Sequence, residues 1–229
     1  MRLSSARMTT NEAPDSQPTE QTKKLMCELS ILERRFPGRK SGLKREVLEQ
    51  ALACFNEAGI EATTIDSIRS RCEASVGAIY HHFGNKDGIL GALFFTALDD
   101  QHEFFEHYLA KAGTLETLVS AIVMGYIDWV VQNPEWAKFL FQARSSVAKG
   151  PLCHELSERN TRQLQGLKEK LRTIDNHGTE ITLPFELIPS LVIGASEHYC
   201  RAWLSGRVPT CPSAYREQLA AAAWRSIQG

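Results

Sequence analysis

Apolar residues recur along most of this chain at the three- and four-residue spacing of an α-helix, and glycine, proline and capping residues mark the breaks between repeats. Leu43, Val47, Leu48, Ala51, Leu52 and Phe55 fall on one helical face, and Gly59 offers the left-handed residue that ends such a helix. Thr63-Thr64-Ile65-Asp66 reads as an N-cap with a carboxylate three residues on, opening a short helix through Ile68 to about Arg71. Cys72-Glu73-Ala74 is a turn, Ser75 caps a third helix over 76–82, and Gly84 breaks the chain. Asn85 caps a fourth helix, with Ile89, Leu90, Leu93, Phe94, Ala97 and Leu98 on one face.

The remainder is also helical in pattern. Leu115, Leu118, Ile122, Tyr126 and Trp129 are in register over 114–132, Asn133-Pro134 interrupts, and a helix resumes over 135–147. Gly150-Pro151 separates it from a more polar helix over 153–172; residues 175–178 are a loop, and the last two helices run over 183–205 and 213–227. No segment alternates as a strand does and no internal repeat is present, so the expected class is all-α. Residues 1–22 are polar, carry Pro14 and Pro18, and are expected to be disordered. A short helix over 23–36, through Leu25, Met26, Leu29, Ile31 and Leu32, would stop at Pro37-Gly38.

The 229 residues, 43% of them hydrophobic, suffice for one core or for a small domain fused to a larger one. Charged residues interrupt every apolar stretch short of the roughly 18 residues a membrane span requires, and the start lacks a secretory apolar run, so the expectation is a cytoplasmic protein without a membrane partner. Cys27, Cys54, Cys72, Cys153, Cys200 and Cys211 form no C-x-x-C pair and read as reduced structural thiols, a redox sensor being the alternative. A net charge of −1 carries no overall nucleic-acid signature, but Lys23, Lys24, Arg34, Arg35, Arg39, Lys40, Lys44 and Arg45 face only Glu28 and Glu33. This basic stretch is a solvated tail, or an arm along a phosphate backbone if a DNA-reading element follows it.

Short helices with a tight turn between the second and third are the form of a DNA-reading helix-turn-helix, and equally of three core helices; spacing leaves both open. Residue identity goes further. The run T-T-I-D-S-I, then S-V-G-A-I-Y-H-H-F-G-N-K-D-G-I-L, with F-N-E-A-G upstream, closely resembles the N-terminal domain of TetR-family transcriptional regulators over residues 45–90. The chain departs from that pattern at Glu73, where the family usually has a turn glycine, and at Asp66, where a basic or polar residue is common.

The resemblance implies an N-terminal helix-turn-helix DNA-binding domain and a C-terminal helical ligand-binding and dimerisation domain. Their bounds are placed at 41–88 and 89–229, after a disordered, basic extension over 1–40. It also implies a homodimeric, effector-released repressor of a palindromic double-stranded operator, with no cofactor. Thr64, Tyr80 and Lys86 become candidates for the phosphate backbone, and Lys44, Arg45 and Ser75 further DNA-binding candidates. Val76, Gly77, Ala78 and His81, on the outer face of the third helix, become candidates for base edges, Val76 and Ala78 through thymine methyls. Ile79 and Phe83 point to the core.

Leu187, Leu191, Ile193, Gly194 and Ala195, with Leu219, Ala220, Ala223 and Trp224, are expected to pack the last two helices against a second copy, internal core being the alternative. Phe105, Tyr108, Trp129, Trp136, Phe139 and Phe141 make an aromatic-rich middle in which a flat, apolar small-molecule effector could sit, oriented by Arg144 or His198; most of these must be ordinary core. His102, Glu103, Glu106 and His107 supply too few ligands on one face for a metal site. No Gly-rich phosphate loop, nucleophile elbow or H-E-x-x-H is present, so no catalytic residue is assigned. The rival to DNA binding is a helical scaffold or partner-binding protein.

Overall fold

Every helix around the turn motif is set by a local signal that the computed structural model realises; it describes residues 29–174 and 183–228. Residues 1–22, Cys27 and the 175–178 loop lie outside the described residues, as does part of the 23–36 helix.

Helix α1, Ile31–Arg35, buries Ile31 and Leu32. The extension expected to be disordered as far as residue 40 is therefore structured from Ile31, because those two side chains join the main core. A 3₁₀ turn, Arg39–Ser41, leads into α2, Gly42–Ala58, which buries Val47, Leu48, Ala51, Leu52 and Phe55 and ends at Gly59 with φ 85°.

Helix α3 is Ile65–Arg69 and α4 is Val76–Phe83. The cap of α3 differs from expectation by one residue. Thr64 is the N-cap, in a reciprocal box with Ser67, whereas Thr63 is buried and donates its hydroxyl to Gly59 O at 2.8 Å. Gly84, at φ 74°, turns the chain out of α4, and Asn85 caps α5, Lys86–Leu109, by accepting from Gly88 N at 2.9 Å. The turn is so tight that a Cβ on Gly88 would stand 1.8 Å from Phe83 O.

Helices α6 (Leu115–Gln132), α7 (Pro134–Lys149), α8 (Cys153–Thr173), α9 (Ile188–Leu204) and α10 (Arg216–Ile227) complete an all-α fold, with no strand among the described residues. The start of α9 falls later than the expected residue 183, since Pro189 tolerates only the first turn of a helix. The expectation that no stretch matches a membrane span fails for α6, whose 18 residues have a mean hydropathy of 1.2. Half of them are buried, and the helix packs against α5, α9 and α10 as the centre of the larger bundle.

The two parts of the chain share one core. The Phe55 ring of α2 stacks on Phe139 of α7 with centroids 5.7 Å apart, both fully buried. Beside it, Asn56 donates to Glu135 O at 2.9 Å and to the Glu135 carboxylate at 3.0 Å.

Candidate nucleic-acid interface

Helix α4 is short and strongly sided. Ile79 and Phe83 are buried, as the sequence suggested, while Val76 is 41% and Tyr80 51% exposed and Gly77, His81 and His82 also face solvent. Val76, Gly77, Tyr80 and His81 are spaced i, i+1, i+4 and i+5, a single helical face. Ser75 caps that helix by accepting from Ala78 N at 3.1 Å, and Ala78 is half-buried. A Cβ on Gly77 would meet nothing closer than the Ser75 hydroxyl at 4.0 Å, so this part of the face is open and shallow.

The supporting helix and turn are held by ion pairs. Arg71 forks onto Glu57 of α2 at 3.0 and 2.6 Å, and that hydrogen bonding holds the Glu57 carboxyl below its ordinary range. At the turn position where the related pattern has glycine, the Glu73 N–H donates to the Glu46 carboxylate of α2 at 2.8 Å. A side chain from α2 thus secures the turn. Asp66 is exposed and stands 3.7 Å from Arg69.

Several of the candidate phosphate contacts already have partners. Thr64 is exposed, but its N–H and its hydroxyl oxygen are both engaged with Ser67, which leaves only the hydroxyl proton as a donor. Arg45 donates to Phe36 O at 2.5 Å and Gly38 O at 2.8 Å, and Lys44 lies 4.3 Å from the Phe36 ring centroid. Lys86 donates to Ile60 O at 3.0 Å and Glu61 O at 3.3 Å, tying the first turn of α5 to the loop after α2.

The family model described as bacterial regulatory proteins of the tetR family matches residues 47–93, which run from α2 through the turn into α5. Residues 47–93 thus carry the N-terminal domain of the tetR family of bacterial regulatory proteins. A relative is the HTH-type transcriptional regulator BetI of Burkholderia lata, 28% identical over 126 residues, covering 53% of this chain and 63% of that protein. The chain therefore aligns with somewhat less than two thirds of that relative's length. Among solved structures, a TetR-family transcription regulator from Marinobacter aquaeolei superimposes with a TM-score of 0.69 at 17% identity, over 82% of this chain and 97% of that one. The ketosteroid transcriptional regulator KstR2 of Mycobacterium tuberculosis gives a TM-score of 0.64 at 20% identity, over 83% and 95%. The TetR-family fold thus extends well beyond the matched N-terminal residues.

In the C-terminal part of this fold, most of the aromatic residues singled out from sequence have packing or hydrogen-bond partners within the chain. Trp129 is fully buried and donates its indole N–H to Asp100 at 3.0 Å, and Phe139 belongs to the contact with α2. Phe105 and Tyr108 lie against Gly125 of α6, where a Cβ would meet either ring at 3.3 Å. The Tyr108 hydroxyl donates to the buried Asp128 at 2.7 Å; burial and that carboxylate push the phenol up to about 12. Asp128 also accepts from Arg216 of α10 at 2.9 Å. Trp136 and Phe141 are half-buried, the Arg201 guanidinium lies 4.1 Å from the Phe141 centroid, and Arg144 and His198 are exposed.

Tyr126 was overlooked from sequence. Its hydroxyl is buried without a protein partner, as is that of Ser196, and burial drives the phenol pKa upward. A solvent-open cleft of about 420 Å³ lies elsewhere, between Ile60, Lys86 and Leu90 on one side and Ser146, Lys149 and Leu152 on the other. No group of three or more metal-ligating side chains occurs among the described residues. Leu187, just before α9, and Gly194 and Ala195 on it are exposed and Leu191 and Ile193 half-buried; on α10, Leu219 and Trp224 are half-buried, while Ala220 and Ala223 pack inward.

Proposed function

We propose that this chain is a homodimeric, sequence-specific DNA-binding repressor that leaves a palindromic operator when a small apolar effector binds its C-terminal domain. The observation that carries the reading is α4: a capped helix with Ile79 and Phe83 buried and Val76, Gly77, Tyr80 and His81 exposed on one face. Internal core would not leave a valine and a tyrosine half in water at adjacent turns. A major-groove helix would, since its N-terminal residues meet base edges.

Val76 reads a thymine methyl, Gly77 lets the helix approach the groove, and Tyr80 and His81 donate to bases or phosphates. Thr64 offers its hydroxyl proton, and Lys86, with two donors on carbonyls, keeps its third for a phosphate. Ser75, Ala78, Lys44 and Arg45 position the helix and the segment before it. The exposed small and apolar residues of α9 and α10 take the second copy, which sets two α4 helices about 34–36 Å apart on successive turns of DNA. Of Phe105, Tyr108, Trp129, Phe141, Arg144 and His198, the Trp129 indole and the Tyr108 hydroxyl are taken by Asp100 and Asp128, whereas Arg144 lies near enough to Tyr126 for its charge to act on that phenol. The effector site is better sought around the unpartnered Tyr126 and Ser196 hydroxyls.

Selection of bound sequences from a random duplex pool tests this, with a Val76→Ser/Tyr80→Ala variant run in parallel; both side chains are exposed, so the variant keeps its core. The expected result is a palindrome enriched by the wild type only. Substituting deoxyuridine for thymine at the enriched positions should then weaken binding, because it removes only the methyl group. Absence of enrichment by folded, dimeric protein at low salt would overturn the proposal and favour a partner-binding role.

A further inference from the structure

Two adjacent acids on α5, Asp99 and Asp100, join four helices. Asp100 is only 8% exposed; one of its oxygens accepts from Arg34 of α1 at 2.5 Å and the other from the Trp129 indole of α6 at 3.0 Å. Asp99 accepts from Arg159 of α8 at 2.5 Å and stands 3.6 Å from Arg35 of α1, which also reaches Glu103 at 2.9 Å. From the other side, the segment that directly follows α1 is tied to α2, which carries the turn motif, by Arg45 on Phe36 O and Gly38 O and by Lys44 over the Phe36 ring.

Part of the basic stretch that precedes α2 is therefore not extended towards a ligand. Arg34 and Arg35 brace α1 against α5, and α1 in turn braces α2.

Helix α8 is the member of this junction most able to move. Its 21 residues include none that is fully buried; Leu156, Leu167 and Leu171 are partly buried and Leu164 is exposed. An element with few buried contacts is displaced at small cost. Its first half is held by Leu156, which packs on the core, and by Arg159, which contacts Asp99 and Glu155 and lies 4.5 Å from the Phe95 ring centroid. Arg35 and Arg159 thus share the Asp99 carboxylate. Withdrawal of Arg159 leaves that carboxylate to Arg35 and tightens α1 on α5; return of Arg159 loosens it.

We propose that Asp99 couples the position of α8 to the DNA-binding helices through α1, a regulatory connection additional to the continuous helix α5. It rests on the operator-binding reading above. By reciprocity, whatever α8 does to operator affinity, operator binding must do to α8 by the same factor, typically about 5- to 150-fold. The effect can thus be measured with DNA alone.

The experiment is amide hydrogen exchange of the full chain, free and bound to its selected operator, for the wild type, Asp99→Asn, Arg159→Gln and Arg35→Gln. In the wild type, exchange over residues 155–171 should change by at least about 5-fold on operator binding. In all three variants that response should fall well below the wild-type change while residues 76–83 remain protected by DNA. Arg35→Gln is decisive, because it leaves the contact between Asp99 and Arg159 in place and cannot act by unfolding α8. A wild-type α8 indifferent to operator, or a full response in Arg35→Gln, overturns the proposal. Absence of protection over 76–83 in the wild type would instead overturn operator binding itself.

Discussion

Replacing Phe139 by alanine tests whether this aromatic side chain is core joining the two parts of the chain or wall of an effector site. The ring is fully buried and stacked on an equally buried Phe55, 5.7 Å away at an interplanar angle of 23°. Truncating a phenylalanine in such a setting costs about 3–5 kcal/mol, the lost transfer free energy plus the cavity left behind. For a chain of this length each kcal/mol corresponds to about 2–4 °C, so the Tm should fall by about 6–20 °C. Phe141 supplies the internal control, two residues along the same helix. It is half-buried against Arg201, and its replacement by alanine should cost less than half as much. Calorimetry and urea titration at one fixed protein concentration are the assays, since the proposed dimerisation would make the Tm concentration-dependent. A loss under about 1 kcal/mol for Phe139→Ala, or a larger loss for Phe141→Ala, would refute the core assignment.

Tyr126→Phe deletes a buried hydroxyl with no protein partner and should raise stability by about 1 kcal/mol; an unchanged or lower Tm would mean that the hydroxyl is satisfied. Lys86→Met removes both donors from the Ile60 and Glu61 carbonyls and should cost about 1–2 kcal/mol. If its third N–H meets a phosphate, the slope of log affinity against log salt should also fall by about 1 per protomer, and a variant as stable as the wild type would disprove the clamp. Burial pushes Cys200 up to about 12 from 9.0, and burial with the Asp128 hydrogen bond takes Tyr108 to about 12 from 10.0. Both folded-state pKa values lie above the unfolded ones, so the stability they contribute is complete below about pH 9 and is lost as the pH climbs towards 12. The Tm should accordingly fall from pH 9 upward, and less steeply in a Cys200→Ala/Tyr108→Phe variant; parallel curves for the two proteins would contradict this origin.

What could be read from sequence was what local chemistry decides. Ser75 and Asn85 cap the helices expected of them, and the buried face of α5 is the one its spacing marks, because cap and stripe depend on residues within a turn or two. The cap of α3 was misplaced because Thr63 and Thr64 have the same local chemistry. The choice is made by Thr63 turning inward to Gly59 O, which a linear pattern does not contain. Asp100 and Asp128 lie among buried residues of α5 and α6, a signal in itself, since a carboxylate in an apolar stripe requires a partner. Their arginines stand 66 and 88 residues away in the chain, however, beyond any periodicity.

The disposition of the arginines also bears on how DNA would be held. A basic segment before a helix-turn-helix suggests affinity drawn largely from phosphates, yet Arg34 and Arg35 lie on α5, Arg45 on carbonyls of the preceding loop, and Arg71 on Glu57. Arg39, Lys40 and Arg69 stay exposed. Within α4 itself no lysine, arginine, asparagine or glutamine is present, so the side chains that usually discriminate guanine or adenine by paired hydrogen bonds are missing. Contact through Val76, Tyr80 and His81, as proposed, would depend instead on shape, methyl groups and single hydrogen bonds, and such contacts discriminate only when the helix is held rigidly in the groove. The pairing of Arg71 with Glu57, the capping of the Glu73 N–H by Glu46 and the bracing of α1 on α5 supply that rigidity. Charges that would have strengthened binding to any sequence are used to fix the geometry on which reading a particular one depends.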